Sequence, residues 1–139
     1  MNRRVFLLSG TALLAMPASA TKPEVSDLIA QLTQGRPIAE GGMKLDVPEL
    51  VENGNVVAMT VSVDPPQGVH VESLHVFADA NPFPTVLHLR FGPASGRPRI
   101  ATRIRLATSQ TVTAIAKLSD GSLRSDSVSL LVTLAACLD

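Results

Sequence analysis

From Met43 onward the chain alternates apolar and polar residues with a period of two. Met43, Leu45 and Val47 alternate with Lys44 and Asp46 until Pro48 ends the run. Val57, Met59, Val61 and Val63 alternate with Ala58, Thr60 and Ser62, and Pro65-Pro66 closes that run. A period of two puts one set of side chains on one face, so each run reads as a half-buried strand. Five more runs follow, at Val69–Ala78, Thr85–Phe91, Ile100–Leu106, Val112–Leu118 and Leu123–Leu134. Turn-forming residues separate them: Glu52-Asn53-Gly54-Asn55 with Asn-Gly at its centre, the two-proline loop Asp79–Pro84, Gly92–Gly96, and Asp120-Gly121. About seven short strands with no helix between them predict an all-β sandwich and argue against an alternating α/β fold.

The period changes only ahead of this region. Val25, Leu28, Ile29 and Leu32 fall at i, i+3, i+4 and i+7, which predicts an N-terminal helix over residues 21–35. Thr21 with Glu24 fits a capping box, Pro23 suits the first turn, and Gly35 marks the stop. A helix this short is unstable alone, so its apolar face must pack on its own domain or on another subunit.

The first twenty residues belong to neither pattern. Arg3-Arg4 precede a largely apolar stretch, Val5 to Met16, and Ala18-Ser19-Ala20 fits a cleavage site. The stretch is too short and interrupted to span a bilayer, which takes about 20 apolar residues. Arg3-Arg4-Val5-Phe6-Leu7 resembles a twin-arginine export signal, so residues 1–20 are expected to be removed in the periplasm and Thr21 to start the mature chain. Losing Arg3 and Arg4 leaves ten basic against twelve acidic residues, a net charge of −2. That balance, with no Trp or Tyr to stack on bases, argues against nucleic-acid binding.

Cys137 is the only cysteine, so no internal disulfide can form and the thiol is free to react or to pair between chains. Two readings stand at this point: a small buried residue closing the last strand, or a reactive thiol on a short arm, residues 135–139, reaching about 10 Å beyond Leu134 at roughly 3.3–3.6 Å per residue. His70, His75 and His88 are too dispersed to form a metal site, and His75, between Leu74 and Val76, reads as partly buried and hydrogen-bonded. Arg103 and Arg105 share one face of a strand, as a solvated stripe or as a docking patch for an acidic partner. No nucleophile elbow, phosphate loop or dinucleotide fingerprint occurs. Asp139 adds negative charge near Cys137, and the nearest basic residue in sequence is Arg124. The chain therefore carries no evident activator for its own thiol, which suits a carrier acted on by other enzymes as well as an inert cysteine.

The order of motifs resembles the SoxY family, the sulfur-carrier subunits of the periplasmic thiosulfate-oxidising system. The residues that carry the resemblance are Glu52-Asn53-Gly54, Phe77-Ala78 to Asn81-Pro82 with Pro84, Phe91 with Pro93–Gly96, Thr102–Ala107 with Gln110, Asp120-Gly121, Val132-Thr133, and Cys137. The resemblance implies an immunoglobulin-like sandwich over residues 36–134 and a heterodimer with a second sandwich subunit, SoxZ. It also implies a non-enzymatic role without cofactor, in which Cys137 holds sulfur covalently while Sox enzymes act on it. The family's arm is Gly-Gly-Cys-Gly-Gly, whereas this chain reads Ala135-Ala136-Cys137-Leu138-Asp139, which exchanges backbone freedom for side chains. That departure opens the alternative of a carrier paralogue serving a different sulfur enzyme. A non-catalytic interaction module with a structural cysteine is the rival from another class.

Overall fold

The computed structural model describes residues 24–137; the expected signal segment, Thr21, Pro23, Leu138 and Asp139 lie outside the described residues. In chain order the elements are α1 (Val25–Thr33), β1 (Ile38–Ala39), β2 (Met43–Asp46), β3 (Leu50–Val51), β4 (Val57–Val63), β5 (Val71–Ala78), β6 (Thr85–Arg90), β7 (Arg99–Ile104), β8 (Gln110–Leu118) and β9 (Leu123–Val132). The large sheet runs β1-β9-β8-β5-β6, with β3 also joined to β9, and the small sheet runs β2-β4-β7. The predicted all-β sandwich with one short N-terminal helix is the observed architecture.

The alternation of the sequence becomes the alternation of burial. Val57, Met59, Val61 and Val63 of β4 are buried and face Leu74 and Val76 of β5 and Val112, Ala114, Ala116 and Leu118 of β8. The core is almost wholly aliphatic, so it is held by the area it removes from water, about 25 cal/mol per Å². Across the sandwich, the Leu45 amide of β2 donates to Asp126 Oδ2 on β9 at 2.8 Å, tying the small sheet to the large one.

On the outer face of the large sheet lies a second apolar cluster. Phe77, Ile115 and Leu123 are buried there beneath Val25, Leu28, Ile29 and Leu32, the face that the helical period predicted, together with Ile38. The helix itself is shorter than residues 21–35. Glu24 is its N-cap, in extended backbone and without a side-chain capping bond, so it does not act as the third residue of a capping box. Gln34, in the left-handed region at φ 53°, ends it, and Gly35 follows at φ 75°.

Three strand expectations change. β1 and β3 are two-residue strands, each parallel to β9, and they add to the predicted set. The last strand stops at Val132 and the one before the Thr108 bend at Ile104, two residues short of expectation in each case, because the chain there leaves the ladders for the contacts described next. The expected turn at Asn53-Gly54 forms, and it joins β3 to β4 across different sheets, with neither Asn53 nor Gly54 at positive φ.

Candidate functional site

The segment after β9 crosses one end of the sandwich. Thr133 opens it, its amide donating to Val51 O at 2.9 Å and its hydroxyl reaching Val51 O and Glu52 O. The Gly54 amide then donates to Leu134 O at 2.7 Å, and the Ala136 amide to Leu106 O at 3.1 Å. Leu106 is itself tied to the same turn, its amide donating to Gly54 O at 2.8 Å. Last, the Cys137 amide donates to Asn55 Oδ1 at 3.3 Å. Residues 133–137 therefore continue as a backbone strap from the large sheet to the residues following β7 of the small sheet.

Gly54 is required by close approach. A Cβ at this position would overlap Leu106 O and would lie 3.0 Å from both Ala136 N and Leu134 O. Only glycine lets the three backbones meet, which explains the residue that the Asn-Gly motif placed in a turn for another reason.

The loop that supplies Leu106 is fixed from behind by a buried polar pair. Asn81, 3% exposed, donates through Nδ2 to Arg105 O at 2.9 Å, and its Oδ1 accepts from the Ala107 amide and from Gln110 Nε2. Gln110 in turn donates to Thr108 O and accepts from the Ala80 amide. Ser109 Oγ accepts from the Val132 amide, where β9 ends. Each amide group is satisfied, which is what makes burying it tolerable. Sequence reasoning missed Asn81 and Gln110 as site-building residues, although both lay among those that carried the family resemblance.

Cys137 is exposed at the end of this strap, which removes the reading of a buried residue closing a strand. The expected free arm is also corrected in part: up to Cys137 the tail is bonded to the body of the domain. Arg103 and Arg105 are exposed, as predicted. Arg105 directly precedes the residue that holds Ala136, so the fold brings a basic residue to the tail that the sequence distance to Arg124 does not reveal.

The histidines lie elsewhere. His75 of β5 pairs in register with His88 of β6, their rings stacked at a centroid distance of 4.2 Å. His75 is half-buried, with Nε2 3.2 Å from Ser73 Oγ, as its apolar neighbours predicted. Burial lowers its pKa from 6.5 to about 4, and the charges of His88, Arg90 and Lys117 push the same way. Among the described residues no group of three or more His, Cys, Asp or Glu side chains is placed to hold a metal ion, and no helix is long and apolar enough to cross a membrane.

Fold and site together define a β-sandwich that holds a single thiol outward on a hydrogen-bonded strap. The chain belongs to the SoxY family, described as sulfur oxidation protein SoxY, which it matches over residues 29–137. Among solved structures it is similar to the sulfur carrier protein SoxY from Chlorobium limicola f thiosulfatophilum, at 26% identity and a TM-score of 0.66, covering 80% of this chain and 97% of that one. It also shares its fold with a superoxide reductase (neelaredoxin) from Ignicoccus hospitalis, at 20% identity and a TM-score of 0.55, covering 66% of this chain and 80% of that one. A superoxide reductase from Nanoarchaeum equitans is similar at 12% identity and a TM-score of 0.53, over 68% of this chain and all of the other. No curated protein matches. Family and neighbour support a sulfur-carrier role within sulfur oxidation.

Proposed function

We propose that this protein is a periplasmic sulfur carrier that holds thiosulfate-derived intermediates covalently on Cys137. The observation that carries the reading is the exposure of the chain's only thiol at the end of a strap built by residues of the family pattern. In the first step a partner haem enzyme removes two electrons and the thiol proton while thiosulfate joins the sulfur. Cys–SH and S₂O₃²⁻ become Cys–S–S–SO₃⁻, H⁺ and two electrons, which the haem accepts. In the second step a partner hydrolase adds water across the terminal S–S bond. Sulfate and two protons leave, and Cys–S–S⁻ remains to be oxidised or handed on.

This chain contributes an accessible sulfur on a defined anchor, and the client enzymes contribute the activation. A SoxZ-type subunit is the proposed heterodimer partner, and residues 1–20 the export signal removed before function. The carrier is not an enzyme and needs no cofactor in this scheme.

Intact mass spectrometry of protein isolated from the periplasm tests the assignment. The expected masses begin at Thr21 and carry a thiosulfonate or sulfane adduct that Cys137→Ser abolishes. An unmodified, unreactive thiol in cells oxidising thiosulfate would defeat it and favour a plain interaction module. The tail residues give the paralogue alternative its own test. Replacing Ala135, Ala136, Leu138 and Asp139 with glycine speeds loading by standard thiosulfate-oxidising enzymes if the side chains obstruct entry. Faster loading of the natural tail by another sulfur enzyme would mark a paralogue.

A further inference from the structure

The exposed large apolar side chains of the described residues are Leu50, Val56, Phe83, Leu131 and Leu134, each between 57% and 75% exposed. All five fall at the same end of the sandwich. Leu50 of β3 stands beside Leu131 of β9 in parallel register near the end of that strand. Val56 immediately precedes β4 and follows Asn55, which accepts from the Cys137 amide. Leu134 belongs to the strap, its carbonyl bonded to Gly54. Phe83 lies in the loop between β5 and β6, the loop whose Asn81 fixes Arg105 and Ala107. The opposite end exposes none of this kind among the described residues. Single exposed apolar residues are ordinary, but a set gathered around one reactive group marks an interaction surface.

We infer that this apolar collar is the docking face for the enzyme that loads sulfur onto Cys137, a protein presenting apolar surface around the mouth of its active site. The inference rests on the carrier reading. Its argument is the shortness of the tether: the Ala136 and Cys137 amides are bonded to the body, so a protein that reaches the sulfur also meets the residues beside those bonds. The polar pair behind the loop holds the collar in one arrangement before the partner arrives, which reduces what ordering would cost on binding.

The helix α1 is engaged elsewhere, since it covers Phe77, Ile115 and Leu123 on the outer face of the large sheet.

The test uses the carrier assembled with a SoxZ-type subunit, comparing wild type with a Leu50→Ser, Phe83→Ser, Leu131→Ser triple variant. These side chains are exposed, so the fold stays intact, and an unchanged rate of Cys137 with a small thiol reagent verifies that the sulfur is equally available. In thiosulfate-dependent loading by the haem enzyme, the KM for the carrier is expected to rise about tenfold or more, the effect of losing a few interface anchors, with kcat unchanged. The wild-type KM is expected to vary little with ionic strength, because the contact is apolar. A loaded wild type and a triple variant with the same KM would overturn the collar and leave the carrier role standing. A wild type that is never loaded would overturn both. If the triple variant instead loses self-association or assembly with the second subunit in sedimentation, the collar belongs to that contact and the assignment to the loading enzyme falls.

Discussion

Among the described residues, the helix α1 and the cysteine strap both lie outside the sheets, and they are held by opposite means. The helix α1 is held by apolar burial, with Val25, Leu28, Ile29 and Leu32 on Phe77, Ile115 and Leu123. The cysteine strap is held by hydrogen bonds to Val51, Gly54, Asn55 and Leu106, while the apolar side chains around it stay in solvent. Burial is non-directional and tolerates small shifts. Backbone hydrogen bonds fix positions, because they weaken steeply with misalignment. One region is built to cover a surface, and the other to place a sulfur atom.

The strongest way to break this contrast is at Gly54. Gly54→Ala is expected to destabilise by about 3 kcal/mol, the upper end of overpacking, since the obstructing atoms are backbone on three sides. The matched control is Gly41→Ala, where φ is +82° and nothing lies within 4 Å of the added carbon. There only left-handed strain is incurred, about 1–2 kcal/mol. Urea denaturation of the two variants decides the point. Equal costs would mean that the strap is not packed against Gly54.

Next in size is the polar pair. Asn81→Ala removes the partners of Arg105 O and the Ala107 amide and one of the two acceptors of Gln110 Nε2. Stranding buried polar groups costs about 2–3 kcal/mol. Leu28→Ala on the helix, only half-buried, is expected to cost about 1–2 kcal/mol. The sharper expectation is regional: Asn81→Ala speeds amide exchange at Ala136 and leaves α1 unchanged, and Leu28→Ala does the reverse. If either variant loosened both regions equally, the two would be one cooperative unit.

These residues also mark the limit of what the sequence discloses. The alternation at Val57–Val63 and the helical period at Val25–Leu32 predicted β4 and the buried face of α1, because each is a local pattern produced by one large surface. β1 and β3 were invisible because two-residue parallel pairings have no period. The thiol was legible from its uniqueness. Its anchoring was not, since Gly54, Leu106 and Ala136 meet through backbone atoms that leave no side-chain signature. Asn-Gly marked the turn correctly but not its second duty: here glycine also permits the close approach of that turn to Leu106 and to the strap. Asn81 and Gln110 were singled out only by the family resemblance, and the fold joins them with Arg105 and Ala107 into the strap's support.

A pH titration separates the regions with a smaller effect. His75 lies on β5 two residues from Phe77, with their ring centroids 6.3 Å apart, on the helix-covered side. Its folded pKa, about 4, lies below the ordinary 6.5. Between those values the unfolded chain binds more protons, so stability is full above about pH 6.5 and falls as pH drops toward 4. Discounted for solvent screening at this half-exposed side chain, the loss is on the order of 1 kcal/mol. Comparing denaturation midpoints at pH 7.5 and 4.5 for wild type and His75→Gln should show that this part of the acid sensitivity disappears in the variant. Identical pH dependence in the two proteins would remove His75 from the account.

The smallest expected effect is the most informative about the thiol. Asn55→Ala removes the acceptor for the Cys137 amide, a bond that is long at 3.3 Å and partly open to water. Its net worth is about 0.5 kcal/mol, the low end for a hydrogen bond, and the melting temperature should barely move. Amide exchange resolves what melting does not. Ala136 keeps its bond to Leu106 O, so its amide stays protected while that of Cys137 exchanges faster in the variant. That result would show a strap anchored at Ala136, with the cysteine able to lift on its own toward a partner. Equal acceleration at both amides would show that Asn55 secures the whole strap and that the sulfur is released only when residues 133–137 detach together. In that case a partner must displace the bonds to Gly54 and Leu106 as well, and loading would be slowed by conditions that strengthen them. The two outcomes make different demands on the loading enzyme: reaching one exposed residue, or peeling a strap from the end of the sandwich.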